Sequence, residues 1–358
     1  MNDSRLRIML LGDARSFHLE RYLSELKRQN CEVLFLSLES GYVPHVLLKS
    51  LGPLKFLHYY LSVSELKSKI REFAPDLIDA HYASGYGHLA ARALKKSDIP
   101  LVVQMWGSDI LIVPKKSWLH KRKVELALSK SNIAIGDSDY LICEACKIKR
   151  PKQTANIQFG VEEQFLKLHK QSYELKKPLK IIVPRPHEPV YDNSFILNSL
   201  AQLLKDKLIC ISFPNFGSRL EDFKRQLECL NCSNVELYDK KERAEFLSFM
   251  SEHDVYLSAA KSDSSPVSLI EAMAVGLIPI AADIPGVREW LSNENGFLFA
   301  RNDKNSLNKI LSGICSAQNN YDEIRISNLL KVKERAIFEI NVAERIAIMK
   351  RLVEKNVS

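Results

Sequence analysis

Short apolar runs alternate with amphipathic stretches along most of the chain. Residues 6–11, 33–37, 77–80 and 101–105 are nearly continuous in apolar side chains, the pattern of strands covered on both faces. Between them, 18–29 and 87–96 carry apolar residues at helical spacing. The same order returns in the second half, with strands expected at 180–183, 208–213, 235–238, 255–258 and 278–281. The alternation predicts two parallel, doubly wound α/β domains of the Rossmann-like kind. A chain of 358 residues also exceeds what one core usually holds. The polar stretch 162–178 has no clear period, so domains are expected at 1–163 and 164–335, and the amphipathic tail 336–358 is expected as a closing helix. Ligands of such sheets bind beyond the carboxyl ends of the strands, which predicts a cleft between the two halves.

The richest segment is 261–289, KSDSSPVSLIEAMAVGLIPIAADIPGVRE. Ser265 suits an N-cap, and Pro266 suits the first helical position, where a missing N–H costs nothing. A helix of about three turns then ends at Gly276. Its leading N–H groups, near Val267 and Ser268, form an anion site. Asp263 precedes that site and Glu271 follows in the second turn, so both carboxylates border a bound anion and suit its hydroxyls. A capped helix in any α/β protein is the plain alternative.

The acidic residue, seven residues and Glu-Ala-Met-Ala resemble the signature of retaining glycosyltransferases of family 4. Their fold, GT-B, consists of two Rossmann-like domains, with the donor nucleotide sugar in the second, the acceptor in the first and a last helix that crosses back. The resemblance implies that Glu271 holds ribose hydroxyls and that Asp263, a carbon shorter than the family's Glu, lies near the donor sugar. Ser265, Pro266, Val267 and Ser268 then border the diphosphate. Arg185 matches the Arg of the family's Gly-Arg-Leu segment and would grip diphosphate oxygens. The family's following Lys is absent. Tyr191 or Asn193 stands near its place, and Lys261 is the candidate substitute. Gly160-Val161-Glu162 resembles the Gly-Val-Asp that closes the first domain, and Gly286, Arg288 and Glu289 follow the family's wording. The chemistry implied is transfer with retention, the departing diphosphate taking the acceptor's proton, with neither protein nucleophile nor metal nor other cofactor.

In the first half, His81 and Gly85 follow one expected strand, and Trp106 and Asp109 follow another. Where many relatives carry a His, this chain has Trp106, which leaves Asp109 or His81 as the catalytic polar partner; a structural His and a capping Asp are the alternatives. Arg15 and His18, in a loop without the usual glycine pair, are expected on the acceptor side, meeting an acceptor phosphate. The acceptor class implied is a cell-surface glycan or a lipid-linked intermediate. Two rival readings stay open: a non-catalytic nucleotide-sugar-binding subunit, and an epimerase or phosphorylase on the same fold.

The net charge of +8 favours an acidic partner. Nucleic acid is disfavoured, because neither zinc-finger spacing nor an aromatic RNA-binding motif occurs. Basic and apolar residues interleave at 49–69 and 115–130, which suits an anionic membrane surface, although a solvated helix face would read alike. Without an apolar run of spanning length or a signal-peptide pattern, the expected location is the cytoplasm, peripheral to the membrane. Seven cysteines, an odd number, argue against a disulfide framework. The pairs Cys143/Cys146 and Cys229/Cys232 are expected as buried thiols.

Overall fold

The computed structural model of the protein describes residues 5–48, 55–170, 174–301, 303–316 and 321–357. Part of the basic stretch 49–69, residues 49–54, lies outside the described residues. The chain divides into two compact units, Met1–Gln158 with Glu339–Ser358, and Phe159–Phe338.

The first unit is built on a seven-stranded sheet. Its strands are β1 (Arg7–Leu11), β2 (Glu32–Ser37), β3 (Val46–Leu47), β4 (Leu77–His81), β5 (Leu101–Gln104), β6 (Ile133–Gly136) and β7 (Thr154–Asn156). They lie in the order β3-β2-β1-β4-β5-β6-β7, every pairing parallel. The second unit has a six-stranded sheet of β8 (Leu179–Ile182), β9 (Ile209–Pro214), β10 (Val235–Tyr238), β11 (Val255–Ser258), β12 (Ile278–Ala282) and β13 (Phe297–Phe299). Its order is β10-β9-β8-β11-β12-β13, again all parallel. The alternating pattern is therefore realised twice. The short strands β3, β6, β7 and β13 complete the sheets at positions where two to four residues carry too little periodicity to be read.

Buried parallel strands need cover on both faces. In the second unit one face packs Ile181, Ile211, Leu257 and Ile280 against helices that include Asn193–Ser199, Leu220–Leu230 and Lys304–Ser316. The opposite face packs Ile182, Tyr256 and Ala281 with Leu269, Met273 and Trp290. The helix Phe338–Val357 belongs with the first unit from Glu339 onward. There Arg345, 2% exposed, donates to the Ile157 carbonyl at 2.6 Å, and Asn341 donates to the Gln158 carbonyl at 3.1 Å.

The division falls after Gln158, earlier than the expected 163, for a backbone reason. Val161 exchanges hydrogen bonds with Ala336 and Phe338, both at 2.9 Å, which ties the segment after 158 to the second unit. Gly160 makes the approach possible. Its φ is +69°, and a Cβ there would stand 2.2 Å from the Ala336 carbonyl oxygen. Gly160→Ala is expected to lower stability by about 2 kcal/mol or more, from the left-handed backbone and the clash together. Calorimetric melting of the variant beside the wild type tests this, and an unchanged profile would count against the close approach.

Candidate active site

In each sheet the strand order reverses direction once, between β1 and β4 and between β8 and β11. Loops leaving two such neighbours diverge, so a crevice opens between them at the carboxyl edge. In the second unit these loops carry Arg185, Tyr191 and Asp192 after β8, and Lys261 and Asp263 after β11. They are stitched together by the Lys261 N–H, which donates to the Val190 carbonyl at 2.7 Å.

Arg185 forms an ion pair with Asp263, and both side chains are largely buried. The Tyr191 ring lies 4.7 Å below the guanidinium carbon, a cation–π arrangement that holds the fork flat. The buried Nε of Arg185 meets no acceptor among the described residues. Asp192 accepts from Lys261 Nζ at 3.0 Å and from Arg301 at 2.8 Å. Lys261 is thus engaged with Asp192, beside the Arg185–Asp263 pair.

The helix after β11 runs Val267–Ala274, one residue later than expected. Pro266, in extended backbone, stands at the N-cap, and its carbonyl accepts from Leu269 and Ile270 at 3.0 and 3.2 Å. Ser265 is not the cap. Its hydroxyl accepts the indole N–H of the buried Trp290 at 2.8 Å. Ser268 Oγ likewise faces Tyr256 OH at 3.2 Å. Both hydroxyls look inward, so what this helix start offers an anion is backbone N–H. The Asp263 loop is braced from behind by Gly286, where a Cβ would stand 2.2 Å from the Ser264 carbonyl oxygen and 2.4 Å from that of Asp263. Packing is therefore a requirement at Gly286.

Glu271 is buried in the second turn, as its spacing predicts. One of its oxygens accepts from Arg243 Nη1, and the same guanidinium reaches Glu162 through Nη2 at 2.8 Å and Nε at 3.3 Å. Arg243 was not legible as a site residue. Its one sequence signal is a cation in the first turn of the helix Arg243–Ser251, where the macrodipole disfavours it.

In the first unit, β4 ends at His81, followed by a wide turn over Tyr82–Gly87. His81 is wholly buried. Its Nδ1 accepts from Trp106 Nε1 at 3.1 Å, and its Nε2 faces Asp79 at 3.6 Å. Burial lowers its pKa despite the neighbouring Asp79 carboxylate. Asp79 itself accepts from Tyr22 OH at 2.8 Å and Gln104 at 3.1 Å. Trp106 lies stacked on Tyr82 at 5.5 Å, with His18 also 5.5 Å away. His81 thus supports the Trp106 ring from within the core, the structural alternative to a catalytic contact. Asp109 is likewise tied into the fold. It is wholly buried, with its oxygens accepting from the N–H groups of Ala83 at 2.7 Å and Trp106 at 2.9 Å. That ties together the loops after β4 and β5. Gly85 faces open space. Arg15, expected to face a phosphate, is exposed and paired with Asp13 at 2.8 Å and Glu39 at 3.9 Å. The C-x-x-C expectation also changes: Cys143 and Cys229 are exposed, and all seven cysteines are unbridged.

Two parallel Rossmann-like sheets, each with its own crevice, are the GT-B architecture of glycosyltransferases, and solved structures agree. Anabaena HepE in complex with UDP-glucose matches with a TM-score of 0.78 and 18% identity, over 96% of this chain and 100% of that one. Sucrose-phosphate synthase from Thermosynechococcus elongatus matches with a TM-score of 0.83 and 14% identity, over 98% and 100%. In sequence, an uncharacterised glycosyltransferase of Methanocaldococcus jannaschii is 24% identical over 323 residues, 87% of this chain and 86% of that protein. Residues 7–138 match the family described as glycosyl transferase 4-like, and 169–326 match glycosyl transferases group 1. The two matches together span most of the chain, which is a glycosyltransferase.

Burial pushes the Asp109 carboxyl up to about 6, against the pull of the Trp106 and Ala83 N–H groups. A folded pKa above the unfolded value means that the native state binds the extra proton, so this group's contribution to stability falls as pH rises from about 4 to 6. Asp109→Asn cannot titrate. The stability of wild type relative to this variant is therefore expected to be higher at pH 5 than at pH 7.5, by about 1 kcal/mol, read from urea midpoints. A pH-independent difference would refute the assignment.

Proposed function

We propose that the enzyme moves a sugar, with retention of configuration, from a uridine diphosphate sugar to a cell-surface glycan or lipid-linked acceptor in polysaccharide or glycoconjugate biosynthesis. The observation that carries this reading is the grouping of Arg185, the helix N-terminus at Val267 and Ser268, and buried Glu271 within the second unit. A UDP-sugar needs these three elements: a planar cation and oriented N–H groups for its diphosphate, and a carboxylate for its ribose. Uridine is suggested by the UDP-glucose and UDP complexes of HepE.

On this reading the bond from the anomeric carbon to the diphosphate oxygen breaks and one to the acceptor oxygen forms on the same face. The acceptor's proton goes to the departing diphosphate. Arg185 and the helix N-terminus stabilise the charge that develops there, in the manner of fixed dipoles in a dry site, with no metal ion. Removing a single such group typically costs two to three orders of magnitude in rate. Arg185→Ala is therefore expected to lower kcat for UDP-sugar hydrolysis about 100-fold, while Glu271→Ala chiefly raises KM. NMR of the product anomer reports retention or inversion. Equal activity in Glu271→Ala would sink the ribose assignment, and an inverted product would sink the retaining mechanism.

The same proposal places the enzyme in the cytoplasm, at an anionic membrane surface. Among the described residues, no helix is long and apolar enough to cross a membrane. A groove of about 670 Å³ in the first unit is floored by Val63, Ile70 and Leu126 and rimmed by Lys67, Arg71, Lys95, Lys96 and Lys130. Elsewhere many surface cations have a carboxylate three or four residues away, as in Lys147–Glu144 and Lys241–Glu245. Exposed Trp118 and Leu119 lead the helix Trp118–Lys130 beside more lysines, a composition suited to headgroups. Sedimentation with phosphatidylglycerol vesicles is expected to fall several-fold in Lys95→Glu/Lys96→Glu and in high salt. Binding indifferent to both would exclude this surface.

A further inference from the structure

We propose that Arg243 is the positioning residue that makes the site selective for ribose, by clamping Glu271 from one side and leaving its other oxygen to the nucleotide. This rests on the ribose role proposed for Glu271. Three separate elements meet at Arg243. Glu162 comes from the segment after Gly160, Arg243 opens the helix Arg243–Ser251, and Glu271 comes from the second turn of Val267–Ala274. All three side chains are largely buried, so two carboxylates share one guanidinium.

A cation at a helix N-terminus is locally unfavourable, and burying it adds desolvation. A residue that breaks both rules is held by its tertiary partners, and such places tend to coincide with function. Here the flanking Glu162 and Glu271 hold the guanidinium charged. The planar fork then fixes the direction of the Glu271 carboxylate, which a flexible lysine would do less well. One Glu271 oxygen accepts from Arg243 Nη1, and among the described residues no donor reaches the other. A carboxylate oxygen so placed accepts from a hydroxyl and gains nothing from a hydrogen. The clamp thereby turns a rotatable carboxylate into a fixed acceptor whose partner is the ribose 2′-hydroxyl.

The test is calorimetric titration of the full-length protein with UDP and with 2′-deoxy-UDP. Wild type is expected to prefer UDP about tenfold, the scale of one hydrogen bond to a charged acceptor. Arg243→Met is expected to reduce that preference to under threefold and to weaken UDP binding more than 2′-deoxy-UDP binding. Arg243→Lys, which keeps the charge but not the fork, is expected to fall between and guards against misfolding in the methionine variant. Glu271→Gln serves as reference. If wild type binds the two nucleotides alike, or if Glu271→Gln keeps the full preference, the ribose reading of Glu271 fails. If Glu271→Gln loses the preference while both Arg243 variants keep it, that reading stands and the role given to Arg243 is overturned.

Discussion

Between β8 and β11 the chain leaves the sheet in opposite directions, and the polar architecture of the second unit depends on that reversal. Because every pairing is parallel, all strands point their carboxyl ends to one edge, and each connection must cross over the sheet before the next strand begins. Neighbouring crossovers on the same side pack closely. At the reversal they part, and the loops carrying Arg185 and Asp263 line the gap. The first unit repeats the device between β1 and β4, and the residues gathered there are His18, His81, Tyr82 and Trp106. Topology alone thus sets where polar groups can be half-buried without breaking a core.

Those groups could not stay there unpaired, since a lone buried charge costs several kcal/mol. The second unit answers with Arg185–Asp263, Arg243 shared by Glu162 and Glu271, and Asp192 shared by Lys261 and Arg301. Each cluster joins segments distant in sequence. The apolar layer beneath them is what fixes the geometry: Trp290 donates to Ser265, Gly286 presses on the carbonyls of Ser264 and Asp263, and Tyr256 meets Ser268. The site is therefore braced from below by residues that a donor would not touch.

This arrangement explains what could be read from the chain and what could not. Strands such as β1, β8 and β11 were legible because burial on both faces leaves an apolar run with little else in it. The short β13 was not, because its register on β12 decides it. Glu271 was legible since helical spacing from the helix start is a local property. Ser265 was misread for the opposite reason: serine before proline suits a cap locally, and only the distant Trp290 shows where its hydroxyl goes. The partners of Asp109 and His81 are likewise invisible to local spacing, being the backbone N–H groups of Ala83 and Trp106 for the one and the Trp106 indole for the other. Arg243 lies 28 residues from Glu271 and 81 from Glu162, and no spacing rule spans such intervals.

On the proposed function, the Arg185–Asp263 pair bears on how the chain does without the lysine that the family resemblance implies near Tyr191. Two cations with no nearby carboxylate would repel each other and wander, and each would have to be ordered when a diphosphate arrives. A single arginine held against Asp263 and flattened on Tyr191 is already aimed. Its buried Nε has an unmet donor, so a phosphate oxygen that bonds there, in the proposed donor site, restores a hydrogen bond rather than merely replacing one. On the proposed function, Asp263 reduces the net charge seen by the donor but also lowers the ordering cost of binding it. A carboxylate one carbon shorter than glutamate serves that end, because fewer rotatable bonds lie between its backbone and the guanidinium it holds. The shortening at Asp263 and the missing lysine are then two sides of one change, in which orientation substitutes for charge.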